Sequence, residues 1–117
     1  MKYLCLIYNR EKNLAAYSKE QWDSLKDEYG AFTESLQKSG HHLAGEGLQP
    51  TGTAKTVRVR DGKMSATDGP FAETHEQLGG FYLIEARDLN DAIQVATRIP
   101  SSRMGSIEVR PILEFEQ

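Results

Sequence analysis

The strongest constraint on the fold is a helical repeat in the first third of the chain. Apolar residues recur there at alternating spacings of three and four, at Trp22, Leu25, Tyr29, Phe32 and Leu36. This spacing forms one apolar stripe along a helix, so the whole stripe, Trp22 included, is expected in the core. Ser18 followed by Gln21 is typical of a capping box, and Gly40 after Ser39 suits the left-handed position that ends a helix. The pattern predicts one long amphipathic helix between Ser18 and Ser39.

Four segments have the patterns of principal strands. Residues 2–8 and 79–86 are apolar at both alternating positions, which is typical of strands buried on two faces in the middle of a sheet. Residues 42–48 are interrupted by glycines, which permit a bulge or the close approach of another group. Residues 107–115 alternate, with Ile107, Val109, Leu113 and Phe115 expected on one face.

A hairpin and a second helix complete the expected elements. Residues 56–60 and 63–67 flank Asp61-Gly62, a strong signal for a tight turn between antiparallel strands. Residues 68–71 interrupt the second of these strands, and a short helix or turn is expected from there to Gln77. Asp88 is expected to cap a second helix that ends before Pro100.

The order strand, helix, strand, hairpin, strand, helix, strand predicts an α+β fold of the ferredoxin-like class, βαββαβ with an extra hairpin. Both helices are expected to cover one face of the sheet. The opposite face mixes aromatic, aliphatic and charged residues, which favours partial burial against a second subunit. A homodimer with a cleft between sheets follows from this arrangement.

The length of 117 residues predicts a single domain spanning 1–117. Fourteen basic and 17 acidic residues give a net charge of −3, which makes nucleic acid and anionic membrane poor partners. The one cysteine, Cys5, leaves no internal disulfide and is expected to be a small buried hydrophobe. The longest apolar run is too short for a signal peptide or a membrane span, so a cytoplasmic location is expected.

One stretch of the sequence is a specific family signature. Residues 68–74, DGPFAET, continue into EQLGGFYLI at 76–84, and this stretch resembles the DGPF branch of the YCII-related family. Further matches are YGAF at 29–32, GEGLQP at 45–50, VRVRDG at 57–62 and GSIEVRP at 105–111. The resemblance covers essentially the whole chain.

The resemblance implies a dimeric ferredoxin-like α+β barrel with a cleft as the site region, without specifying a reaction. Some relatives are encoded beside, or fused to, transcription sigma factors, which implies a possible sigma-factor association. His75 replaces the lysine that many relatives carry after the Glu-Thr pair, so no role that needs a permanent cation is transferred to it. The His/Asp pair proposed for the broader family is not transferred either, because the first predicted helix contains no histidine.

The candidate catalytic residues are two carboxylates. Asp68, in a turn at the mouth of the sheet, could be a proton acceptor, or it could accept backbone N–H groups in an Asx turn. Glu46 lies between two glycines, where a ligand could approach the backbone, and a structural role is an equal alternative. Arg110 could orient an anionic substrate, or pair with Glu46 or Asp68.

The remaining site candidates would shape the cleft. Phe71 and Tyr82 are expected to line it, with core anchoring as the alternative for Phe71, while Gly69 and Pro70 shape the adjoining turn. His75 and its neighbouring glutamates are interpreted as surface charge, and strand spacing argues against His42 and Glu46 as a metal pair. No metal and no cofactor are therefore expected.

Two functions are compatible with these residues. The first is a homodimer that binds a small anionic molecule and performs cofactor-free acid/base chemistry on it. The alternative is a non-enzymatic ligand-sensing or adaptor module linked to sigma-factor-dependent transcription. A carboxylate that titrates inside the cleft would favour the enzyme, and a saturable protein partner would favour the adaptor.

Overall fold

The computed structural model describes residues 1–115 of the chain. The six strands are β1 (Lys2–Asn9), β2 (His42–Gly47), β3 (Lys55–Arg60), β4 (Lys63–Asp68), β5 (Gln77–Glu85) and β6 (Ser106–Pro111). The three helices are α1 (Glu11–Ala15), α2 (Lys19–Ser39) and α3 (Leu89–Thr97). No helix in this described range is long and apolar enough to cross a membrane.

The principal sheet has four strands in the order β2-β5-β1-β6, and every neighbouring pair is antiparallel. One of its faces packs against α2 and α3, so the predicted α+β fold is confirmed. The core combines buried residues of the central strands with those of the two helices: Tyr3, Cys5, Ile7, Tyr82, Ile84, Phe32, Leu36, Ala92, Val95 and Ala96. Burial raises the pKa of the Cys5 thiol to about 11, so this side chain is a protonated core hydrophobe as expected.

The predicted helix ends are confirmed. The Ser18 side chain accepts from the Gln21 backbone N–H and the Gln21 side chain accepts from the Ser18 backbone N–H, which completes the capping box of α2. Gly40 ends the helix with φ 79°, in the left-handed region that favours glycine. Asp88 caps α3 through the backbone N–H of Asp91.

The predicted hairpin is confirmed as a separate two-stranded sheet, β3 with β4. Asp61 (φ 53°) and Gly62 (φ 75°) both have positive φ, as the tight turn between the strands requires. Nearly all of its residues are exposed. We call residues Lys55 to Asp68 the arm, because they extend away from the principal sheet.

The central strands are buried on one face only, which corrects the prediction of burial on two faces. In β1, Tyr3, Cys5 and Ile7 are buried toward the helices, whereas Leu4 and Leu6 are only half-buried on the opposite side. Of the helices in residues 1–115, those of the core cluster, α2 and α3, pack on the side of Tyr3, Cys5 and Ile7. Continuous apolar sequence cannot distinguish a strand covered by its own chain from one whose second face is left open.

Two local predictions were also wrong. Trp22 is 38 % exposed rather than in the core, and its ring packs edge-on against Tyr17 at a centroid distance of 5.7 Å. The last strand ends at Pro111, which lacks the N–H that a ladder needs, and Leu113 and Phe115 beyond it are exposed. Residues 69–76 form bends, in agreement with the expected short helix or turn, and the short helix α1 follows β1 where no helix was predicted.

Candidate functional site

A cleft of about 850 Å³ separates the first half of α2 from the principal sheet. Its walls are Trp22, Leu25 and Tyr29 from α2, Tyr82 from β5, and the chain that follows β2 at Leu48. This helix-side cleft explains the exposure of Trp22, because the apolar stripe of α2 continues past the closely packed core and faces open space. The cleft combines apolar walls with a few polar groups, which is typical of small-molecule sites.

Glycines in the neighbouring strands form the floor of this cleft. A Cβ at Gly45 would lie 2.8 Å from a ring carbon of Tyr82, so only glycine lets that ring lie against β2. A Cβ at Gly80 would lie 2.8 Å from the Glu46 carbonyl oxygen, so glycine also permits the close approach of β2 and β5. The glycines that interrupt residues 42–48 in the sequence therefore allow β2 and β5 to approach each other closely at the cleft.

Two tyrosine hydroxyls are fixed beside the cleft. The Tyr29 hydroxyl lies 2.5 Å from Ser101 Oγ, and the Tyr82 hydroxyl lies 2.7 Å from Thr33 Oγ1. The two rings are stacked, with centroids 6.5 Å apart. Burial raises the pKa of both phenols, so both stay protonated at neutral pH and act as neutral hydrogen-bonding groups.

Asn9 lies at the inner end of the cleft. Its side-chain Nδ2 donates to Ser101 Oγ at 3.3 Å, which connects it with the Tyr29 hydroxyl through the same oxygen. Among the residues that the structure describes, its buried Oδ1 has no hydrogen-bond partner. This polar cluster orients the inner wall of the cleft through side chains of β1, α2 and the turn before β6.

His42 is the histidine on the cleft wall. Its ring meets Tyr82 edge-on, with centroids 6.3 Å apart, and the side chain is half-buried on the edge strand β2. Within the described part of the chain the imidazole makes no hydrogen bond. An imidazole facing a cleft is the side chain best suited to transfer a proton at neutral pH.

The structure separates the residues that the sequence suggested for one site. Glu46 borders the helix-side cleft, but it pairs with Phe81, so its exposed side chain lies on the side of the sheet away from the helices. Tyr82 lines the helix-side cleft with its ring. Arg110 lies on the opposite side of the sheet, opposite Leu4 in the β1–β6 pairing. Its guanidinium bonds the Glu108 carboxylate at 3.1 Å, so its ion pair is with Glu108 and with neither Glu46 nor Asp68.

The residues of the DGPF turn are not among those that line the helix-side cleft. Asp68 ends the arm, pairs with Lys55, and its side chain is 87 % exposed. Gly69 adopts φ 93° and its N–H donates to the Ala54 carbonyl at 2.7 Å, which closes the base of the arm. Phe71, beyond Pro70, is 80 % exposed. Among the described residues of one chain, no hydrogen bond or ion pair joins this turn to Tyr82 or Arg110.

Sequence reasoning missed most of the polar groups in the cleft. Tyr29 and Ser101 are 72 positions apart, and Asn9 and Ser101 are 92 apart, so no local motif joins them. The one available signal was the apolar stripe itself, because it includes a tyrosine whose hydroxyl requires a partner when buried.

A second polar cluster connects the end of α2 with the start of α3. Ser39 Oγ lies 2.6 Å from His41 Nδ1, and His41 Nε2 lies 3.2 Å from the Asp91 carboxylate. The residue types are those of a Ser-His-Asp triad, but the N–H groups of Gly40 and His41 bond to carbonyls of α2 and cannot form an oxyanion hole. We therefore assign this cluster a structural role.

Asp91 gives this cluster a testable pH dependence. The backbone N–H of Arg87 and then the His41 and Arg87 side chains hold the pKa of the Asp91 carboxyl below its usual value, against the opposing effect of burial. A lowered folded pKa stabilises the fold above the unfolded value of about 3.9, and this contribution is lost as pH falls through the folded pKa. We expect Asp91→Asn to lower the urea midpoint of unfolding at pH 7. The difference in midpoint between this variant and the wild type should become smaller as the pH falls toward 3.

Asp27→Asn is the matched control for this experiment, because Asp27 is an exposed residue of α2. It should leave the urea midpoint close to wild type at pH 7. If the urea midpoint of Asp91→Asn stays below that of the wild type by the same amount between pH 7 and pH 3, the charge of the Asp91 carboxylate does not stabilise the fold.

Comparison with known proteins gives two matches along nearly the whole chain. The family model described as the YCII-related domain matches residues 1–116. An uncharacterized protein of Rhizobium meliloti (strain 1021) is 38 % identical over 118 residues, which covers 99 % of this chain and 95 % of that protein.

Proposed function

The chain belongs to the YCII-related family, and from this membership we propose that it is a homodimeric protein that binds a small molecule in the helix-side cleft. The observation that carries the proposal is the cleft itself. Its volume of about 850 Å³ falls within the range of about 300–1,000 Å³ typical of ligand pockets. Aromatic walls and fixed hydroxyl groups favour a flat, largely apolar ligand with a few hydrogen-bonding atoms.

The finer fold assignment forms part of this proposal. The sheet order β2-β5-β1-β6, with α2 and α3 on one face, supports a ferredoxin-like domain. The open opposite face supports burial against a second copy, as in a dimeric barrel. Because Asp68 and Arg110 lie away from the helix-side cleft within one chain, their predicted roles require a site completed by a second copy.

Acid/base chemistry without a cofactor is the reaction class that the cleft supports. His42 faces the cleft and can exchange a proton with a bound molecule. Tyr82, whose raised pKa keeps its phenol protonated, can donate a hydrogen bond to an oxygen that gains negative charge. In this proposal His42 is the proton acceptor, and the hydroxyl groups hold the ligand.

Ligand sensing or an adaptor role is the second candidate, and the arm is the observation that favours it. An exposed hairpin offers backbone and side-chain contacts to another protein. The two candidates differ in whether the bound molecule is converted. Incubation of the native ligand should give a product with a different NMR spectrum with wild-type protein but not with His42→Gln if the protein is an enzyme, whereas neither protein changes the spectrum if the protein is a sensor.

Filling the mouth of the cleft tests binding directly. Ala15 lines the cleft, and the neighbouring Ala16 does not. We expect Ala15→Phe to weaken binding of the fluorescent apolar probe anilinonaphthalene sulfonate about tenfold, equivalent to about 1.4 kcal/mol. Ala16→Phe adds the same ring at the next position and should bind the probe within about twofold of wild type. Equal affinities in all three proteins would overturn the assignment of the helix-side cleft as a binding site.

A further inference from the structure

The arm has an apolar surface that the described residues of its own chain leave exposed. Val57 pairs with Ala66 and Val59 pairs with Met64, so these four side chains share one face of the hairpin. Val57 and Val59 are each 61 % exposed, and Met64 is 69 % exposed. An isolated two-stranded hairpin is marginally stable in water, so this face needs a covering surface.

The principal sheet has a second uncovered surface, on the side away from the helices. We call it the open face, and it consists of the half-buried residues Leu4, Leu6, Tyr8, Leu78, Phe81 and Leu83. These residues form adjacent rows on the two central strands, β1 and β5. The open face is therefore a contiguous apolar surface of the kind that binds a partner protein.

The size of the exposed surface indicates how much is left uncovered. The chain exposes 8425 Å², whereas a folded monomer of 13.1 kDa is expected to expose about 6,400 Å². The excess is about 2,000 Å² per chain, and two such chains together would reach the interface size of obligate homodimers. The radius of gyration of 16.3 Å also exceeds the value of about 13 Å expected for this length, because the arm projects.

Charge distinguishes the arm from the rest of the chain. Lys55, Arg58, Arg60 and Lys63 outnumber Asp61 and Asp68, so the arm is positively charged in a chain whose net charge is −3. The remainder of the chain is therefore more acidic than the whole. A second copy of the same chain offers the arm both an uncovered apolar surface and a body of opposite charge.

We infer that the arm of each protomer packs its apolar face against the open face of a second copy, so that two identical chains exchange arms about a twofold axis. This inference rests on the homodimer in the proposed function and names its interface. Each arm covers the open face that the sheet of the other protomer leaves uncovered. The base of the arm, closed by the hydrogen bond from Gly69 to Ala54, fixes the direction in which it reaches the partner.

Two lysine substitutions on opposite faces of the hairpin test the inference by light scattering coupled to size-exclusion chromatography. Val59→Lys places a charge on the apolar face, and Ser65→Lys places the same charge on the polar face. We expect Val59→Lys to weaken the dimer at least about tenfold and Ser65→Lys to leave it within about twofold of wild type. Circular dichroism of both variants verifies that the principal sheet remains folded.

Photo-crosslinking locates the contact. Benzoylphenylalanine at position 59, in a dimer mixed from isotope-labelled and unlabelled chains, should form cross-links between chains to peptides from β1 or β5. Cross-links only within one chain, or to the helices of the partner, would overturn the arm interface. A dimer that resists Val59→Lys would overturn the arm interface while the proposed homodimer stands, and a monomeric wild type would overturn both.

Discussion

Replacement of Gly105 by alanine is expected to destabilise the fold by about 3 kcal/mol or more, because the new methyl group has no space. A Cβ at this position would overlap the carbonyl oxygen of Tyr8 and lie 2.8 Å from Asn9 Oδ1. The Tyr8 oxygen belongs to the backbone of a central strand, so the clash cannot be relieved by a side-chain rotation. The Gly105 N–H also donates to the Ser101 carbonyl at 2.8 Å, which fixes the turn before β6.

Gly30→Ala is the matched control for Gly105→Ala. Gly30 lies within α2, and a Cβ there would meet nothing within 4 Å. Alanine is favoured over glycine in a helix interior, so the free energy of unfolding of this variant should be about 1 kcal/mol higher than that of the wild type. Urea denaturation of both variants measures the difference, and similar unfolding free energies for the two would contradict the packing of the Gly105 turn against β1.

Truncation of Leu36 to alanine is the second change expected to have a large effect. Leu36 is 0 % exposed, at the point where the apolar stripe of α2 packs on the core cluster. Removal of its isobutyl group loses transfer free energy and leaves a cavity, with an expected cost of about 3 kcal/mol or more. The midpoint of urea denaturation should fall accordingly, with an unchanged slope if only stability is affected.

Leu43→Ala removes the same group from an exposed position of β2. It should cost about 1 kcal/mol, well below the loss at Leu36, because a side chain that is already 45 % exposed gives up only part of its buried area. If both substitutions lower the free energy of unfolding equally, the apolar stripe of α2 does not pack on the core at Leu36.

The sequence predicted those elements whose signals are local. The capping box at Ser18, the left-handed Gly40, the turn at Asp61-Gly62 and the cap at Asp88 depend on residues within three or four positions of one another. Backbone geometry and a single side-chain hydrogen bond decide such features, so they depend little on residues distant in the sequence. The apolar stripe of α2 likewise predicted a helix and its buried face through Leu25, Phe32 and Leu36.

Trp22 shows what a periodic pattern of apolar residues cannot predict. Periodicity specifies which side of a helix faces the sheet, but it cannot specify how closely the two approach. At Leu36 the approach is close, and at Trp22 the helix-side cleft intervenes. The site was therefore hidden inside a pattern that otherwise predicted core packing.

The polar residues of the site show a second limit. Tyr29, Ser101 and Asn9 meet only after α2, the turn before β6 and β1 have packed together. By contrast, the sequence analysis proposed Asp68 and Arg110 as site residues because they are charged residues beside a turn and on a strand. The fold separates them from the cleft within one chain, since one ends the arm and the other lies beside the open face.

Native mass spectrometry of the protein purified gently from its own cells tests the central claim, that the helix-side cleft holds a small molecule. A dimer of about 26 kDa, twice the chain mass of 13.1 kDa, should carry excess mass in the wild type. The same excess should remain in Ala16→Phe and be lost in Ala15→Phe, because only position 15 lines the cleft. A dimer without excess mass, or an excess retained equally by both variants, would contradict the claim.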